Sequence, residues 1–107
     1  MDVQINTANN VSGTASWISD VEMVVRTRLA RYEDRLTRVE VHVVDESSPP
    51  TSGPDKRCAI EARPAGHDPV TVTETADTID RAAAGALTKL TSALERTFGR
   101  TTSRKGH

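Results

Sequence analysis

An α+β fold of order β-α-β-β-β-α, a four-stranded sheet with two helices packed on one face, is predicted by three observations. Four stretches of the 107-residue chain alternate apolar and polar residues with a period of two. Two longer stretches repeat apolar residues at spacings of three and four. Each helical stretch carries a single apolar stripe, so both bury it against one face of the sheet. At 36% hydrophobic and 27% charged residues the chain is a folded domain rather than a disordered one.

The elements follow in order. Val3-Gln4-Ile5-Asn6 alternates as a short strand. The first helix is marked by Val21, Val24, Val25, Leu29, Tyr32 and Leu36. Ser19-Asp20-Val21-Glu22 has the form of a capping box, with Ser16 as the cap of an earlier start. Residues 39–44 place Val39, Val41 and Val43 on one strand face and Glu40 and His42 on the other. Residues 57–63 repeat the pattern with Cys58, Ile60 and Ala62 inward, and Val70-Thr71-Val72-Thr73 repeats it again. Ala65-Gly66 suggests a hairpin with a long loop between these two strands.

The second helix spans about Asp77 to Phe98, with Ile79, Ala82, Ala83, Ala86, Leu87, Leu90, Leu94 and Phe98 on its apolar side. Asp77 or Thr75 is available as its N-cap and Gly99 as its terminator. So much alanine on the buried side predicts close packing. Residues 46–55 and 63–69 are rich in turn formers, with prolines unsuited to a central strand. Residues 1–100 therefore read as one domain, and 101–107 as a basic flexible tail.

Reactive chemistry is sparse. The histidines are His42, His67 and His107, and no H-x-x-x-H or C-x-x-C spacing exists, so no metal and no cofactor is expected. There is no phosphate-binding glycine loop and no sign of a small-molecule substrate. Cys58 is the only cysteine and points inward, which makes it a packed hydrophobe rather than a nucleophile. Glu40 and His42 share a strand face and could pair as acid and base, but no third group is suggested near them. A non-enzymatic protein is expected. The lone cysteine, the lack of a long apolar run and the lack of a signal-peptide pattern imply a cytoplasmic protein with no membrane partner.

The net charge of −1 conceals a blocky distribution. Residues 1–25 carry three acids and no base, whereas 26–38 carry five arginines against two acids. Residues 81–107 hold six bases against one acid. Arg28, Arg31 and Arg35 fall at i, i+3 and i+7 along the first helix. Lys89, Arg96 and Arg100 fall at i, i+7 and i+11 along the second, if its turns hold past Gly99. Two such stripes suit the phosphates of a nucleic acid. With Trp17, Tyr32 and Phe98 as the only aromatics, and the last two in core positions, recognition through phosphates and shape is expected, not through bases.

The stretch from Arg31-Tyr32-Glu33-Asp34-Arg35-Leu36 to Val43 resembles the end of the first helix and the second strand of the ribosome hibernation-promoting factors. These are also called ribosome-associated inhibitors or ribosomal subunit interface proteins. Asp55 to Gly66 resembles their third strand and hairpin, and Ala76-Asp77-Thr78-Ile79-Asp80 followed by Lys89-Leu90 their last helix. The likeness covers residues 3–100 and fits the short form, which lacks a second, dimerising domain.

The resemblance implies a stress or stationary-phase factor, monomeric off the ribosome. Its partner would be the small ribosomal subunit, whose rRNA it would bind in the channel of messenger and transfer RNA, inhibiting translation. The family's basic helix positions fall on Arg28, Arg31, Lys89 and Arg96, while Asp34 and Ser92 stand where members often carry a further base. The expected rRNA contacts are Arg28, Arg31, Arg35, Lys89 and Arg96, with Arg38, Lys56, Arg57 and Arg100 peripheral. The acidic blocks at 39–55 and 64–80 leave a second reading, a protein–protein adaptor with the same fold and weak ribosome affinity.

Overall fold

The computed structural model describes residues 1–7, 15–45 and 56–105, with the side chains of all but 15–17, 45 and 100–105. Alternation produces the four strands β1 (Asp2–Thr7), β2 (Leu36–Asp45), β3 (Lys56–Pro64) and β4 (Val70–Ala76) in the spatial order β1-β2-β3-β4. β1 and β2 pair in parallel, and the other two pairings are antiparallel. The helices are α1 (Ala15–Arg28) and α2 (Ile79–Lys105), with a 3-10 helix at Ala30–Arg35 leading into β2. The order is thus β-α-β-β-β-α, as predicted.

Val39, Val41 and Val43 of β2 and Cys58, Ile60 and Ala62 of β3 are buried together under both helices. Val21, Val25 and Leu29 enter this core from the first helical segment, and Ala82, Ala83, Ala86, Leu87, Leu90, Leu94 and Phe98 enter from α2. No polar or charged residue is buried among the described residues. Burial pushes the Cys58 thiol up to about 11, which keeps it protonated and inert at neutral pH.

Several boundaries differ from the sequence expectation. The first helix begins at Ala15, so Ser19 lies inside it and forms no capping box at its start. It ends at Arg28, and the spacing of three from Leu29 to buried Tyr32 belongs to a 3-10 helix instead of a further α turn. Val24 is 43% exposed, because a 14-residue helix buries the i, i+4, i+8 line Val21–Val25–Leu29 and leaves Val24 on its flank. Leu36 is already strand, and the register shift between Leu36 and Arg38 explains its burial. A bulge there reverses the alternation, so Leu36 and Val39 both face the core while Thr37 donates to the Arg63 carbonyl at 3.0 Å.

α2 is capped by Thr78, not by Asp77 or Thr75: the Thr78 hydroxyl accepts the Arg81 amide at 3.1 Å. Gly99 does not terminate it, and the helix continues to Lys105 through most of the segment read as a tail. Pro64 does occur in central β3, but as its last residue, where losing an N–H costs the ladder least. The β3–β4 loop turns at Gly66, whose φ of +80° suits the third position of a type II turn closed by His67 N–H on the Pro64 carbonyl at 3.2 Å. The predicted break at 46–55 lies outside the described residues.

This topology fixes the helix directions. β4 runs parallel to β1 and β2 through two antiparallel steps, and each helix returns against the strand before it. α1 and α2 therefore run parallel to each other on one face of the sheet.

Candidate nucleic-acid interface

The three arginines predicted as a stripe on the first helix are divided between two elements: Arg28 ends α1, while Arg31 and Arg35 lie on the 3-10 helix. They still form a file, because that segment continues alongside α2. Arg28 Nη2 donates to Thr88 Oγ1 at 3.2 Å, Arg31 Nη2 meets Glu95 Oε1 at 3.1 Å, and the Arg35 guanidinium carbon lies 3.7 Å from the Phe98 ring centre. The partners climb α2 in the same order as the arginines climb the chain. Interaction with Tyr32 first, then with Glu95, raises the Arg31 pKa above its ordinary value. All three are exposed and charged.

Lys89 lies on the other flank of α2, beside the edge strand β4. Its ammonium donates to the Thr73 carbonyl at 2.9 Å and meets Glu74 Oε1 at 2.7 Å. Glu74 shares the helix-side face of β4 with Val72 and reaches under α2 at Gly85, where a Cβ would stand 2.7 Å from Glu74 Cγ. Arg96 stands seven residues beyond Lys89, on the same flank by helical spacing, and makes no ion pair among the described residues. The two basic rows run the same way along α2, separated by its crest, about one helix diameter or ~10 Å.

The peripheral bases are spread more widely. Arg38 is on the outer sheet face, away from the helices, bonded to Gln4 Oε1 and Glu40 Oε2 at 2.8 Å each. Glu40 also meets His42 Nε2 at 3.3 Å, so the two residues weighed from sequence as acid and base belong to a hydrogen-bonded cluster with Arg38 on the outer sheet face. Arg57 lies on that outer face too, opposite Val44 and Thr75. Lys56 lines a shallow depression with Asp77 and Asp80 at the start of α2. The Arg100 side chain lies outside the described residues. Among the described residues no group of His, Cys, Asp and Glu could hold a metal ion, and no helix is long and apolar enough to cross a membrane.

Comparison with known proteins gives the family and the fold. The family model described as Sigma 54 modulation protein / S30EA ribosomal protein matches residues 4–102. The chain belongs to that family. The family is ribosome-associated, so the protein's partner is the ribosome. Among solved structures, the Protein Y N-terminal domain of Thermus thermophilus superposes with a TM-score of 0.73 at 21% identity, covering 91% of this chain and 99% of that one. A ribosomal subunit interface protein from Coxiella burnetii gives 0.70 at 12% identity, with 92% and 99% covered. At these identities the two structures establish the fold. No curated protein matches the sequence.

Two features of the helix layer are absent from the sequence reading. Glu74 and Glu95, which hold Lys89 and Arg31, did not stand out, although a carboxylate at an inward position of β4 is a readable signal. Arg81 is the other: it is 74% exposed on α2, and among the described residues its guanidinium meets only Asp77, four residues before it, at 3.5 Å.

Proposed function

We propose that this ribosome-associated protein is a cytoplasmic hibernation factor and translation inhibitor. Its helix layer lies on small-subunit rRNA in the channel of messenger and transfer RNA. The observation that carries this reading is the file Arg28–Arg31–Arg35 along one flank of α2, with Arg96 on the other flank. Cations on a rigid two-helix surface hold phosphate oxygens at fixed spacing and release counterions when they do so. The sheet's outer face offers less, since Arg38 and Arg63 there are matched by Glu40 and Glu61. Arg28, Arg31, Arg35 and Arg96 make the principal contacts, and Lys89 contributes only as far as it leaves Glu74. Occupying that channel excludes messenger and transfer RNA, which is inhibition without catalysis.

Reversing Arg28→Glu and Arg96→Glu together tests this directly. Neither side chain makes an ion pair among the described residues, so the fold survives. Co-sedimentation with small subunits is expected to fall by two orders of magnitude or more, in line with about two lost phosphate contacts plus new repulsion. A folded double variant that co-sediments as well as the parent would refute the proposed surface.

A further inference from the structure

Arg35 differs from its neighbours in how it is held. Its guanidinium carbon is 3.7 Å from the Phe98 ring centre, a distance at which the planar group must stack on the ring. Phe98 is only 4% exposed and is itself fixed. Tyr32 packs on it with ring centres 5.4 Å apart, and His67 meets it edge-on at 5.5 Å. The Arg35 carbonyl accepts the Ala65 amide at 2.9 Å, which ties its backbone to the β3–β4 loop. Yet Arg35 is exposed and makes no ion pair among the described residues, in contrast to Arg31.

A guanidinium has two faces. One of these faces Phe98, and the exposed side chain leaves the other to solvent, with the N–H donors around its edge. Guanidinium faces are weakly hydrated and stack on flat aromatic systems, and unpaired RNA bases use arginine planes in this way. The side chain is already ordered, so little rotamer entropy is lost when a base arrives, and no carboxylate has to be displaced.

We propose that Arg35, backed by Phe98, is a base-stacking subsite that takes one unpaired nucleobase of RNA at the end of the Arg28–Arg31–Arg35 file. The proposal rests on the RNA-binding reading above and adds a contact with a base to it. The scarcity of aromatic residues made base contacts unexpected; a backed guanidinium supplies the missing flat surface. Stacking of this kind tolerates any base, so it brings affinity and register without sequence readout.

The test compares a tetra-adenylate RNA with an abasic tetramer of the same phosphate backbone, at low salt, on the whole chain. The base-bearing RNA is expected to bind about five-fold tighter, the equivalent of roughly 1 kcal/mol for one stacked base. The Arg35 Nε–H proton resonance should move upfield with that RNA alone. Arg35→Lys keeps the charge and removes the plane, so the ratio of the two affinities should fall to about one, whatever the change in binding of the abasic RNA. If Arg35 merely covers Phe98, the variant shifts the melting temperature and leaves the ratio of affinities unchanged. Equal binding of both RNAs by the parent, or a preference that survives Arg35→Lys, overturns the subsite. A parent that co-sediments with small subunits but shows no base preference overturns the subsite alone. One that binds neither RNA nor small subunits overturns the ribosome reading with it.

Discussion

The two flanks of α2 carry similar charges and hold them differently. On the flank facing the first helical segment, Arg28 rests on a threonine hydroxyl, Arg31 on a solvent-exposed glutamate and Arg35 on a ring. On the β4 flank, Lys89 is fastened at both ends of a short arc, to a carboxylate and to a main-chain carbonyl of the edge strand. The Thr73 carbonyl points out of the sheet at its open edge, where an unsatisfied acceptor would invite another strand. Lys89 therefore closes a sheet edge and clamps α2 onto it, whereas the arginines leave most of their donors outward. Equal charge on a helix thus does not mean equal availability to a ligand.

The strongest way to break this contrast is at Gly85. A Cβ there would stand 2.7 Å from Glu74 Cγ, so Gly85→Ala must displace the carboxylate from its place beside Lys89. Alanine in a helix interior is otherwise favoured over glycine by ~1 kcal/mol. The substitution should therefore destabilise the parent and stabilise a Glu74→Ala background by up to ~1 kcal/mol. A double-mutant cycle by denaturant unfolding is expected to give a coupling of about 1–2 kcal/mol between the two sites. Additive effects would show that Glu74 is not seated under α2.

A smaller effect sharpens the same comparison. Lys89→Gln and Arg31→Gln each remove one cation from an ion pair. The first also frees a carboxylate that is only 31% exposed and a strand carbonyl, and should cost about 1 kcal/mol in unfolding experiments. The second acts on a pair whose partners are 61% and 56% exposed and screened by water, and should leave stability unchanged within error. Equal losses would remove the distinction between clamp and contact.

How much of this was readable beforehand depended on period and partner. The strands were legible because Val39, Val41, Val43, Cys58, Ile60 and Ala62 alternate cleanly, and a sheet with one covered face demands that pattern. The first helix was overextended because Leu29, Tyr32 and Leu36 satisfy spacings of three or four whether the backbone is α, 3-10 or bulged strand. The file of Arg28, Arg31 and Arg35 survived that error, since a 3-10 helix continuing beside α2 keeps the side chains on one side. What could not be read was the company each cation keeps. Lys89 meets Glu74 across fifteen residues of chain, and Arg31 meets Glu95 across more than sixty; the first depends on α2 packing on β4, the second on the packing of the parallel helical segments.

The subtlest consequence concerns Glu95. Its carboxylate competes with any phosphate for Arg31, and in water an exposed pair of this kind is weak and easily exchanged. Glu95→Gln removes the competitor and one negative charge from beside the arginine file. Affinity for small subunits should rise about two- to three-fold, and the salt dependence should steepen slightly as Arg31 takes up a phosphate. Glu74→Gln, on the clamped flank, should lower stability and leave affinity nearly unchanged, because the Thr73 carbonyl still holds Lys89 at the strand edge. If both variants bind more tightly and by the same factor, the gain is a nonspecific charge effect, and the two flanks are equivalent toward RNA. If only Glu95→Gln does, the arginine file is the working surface and the β4 flank its mount.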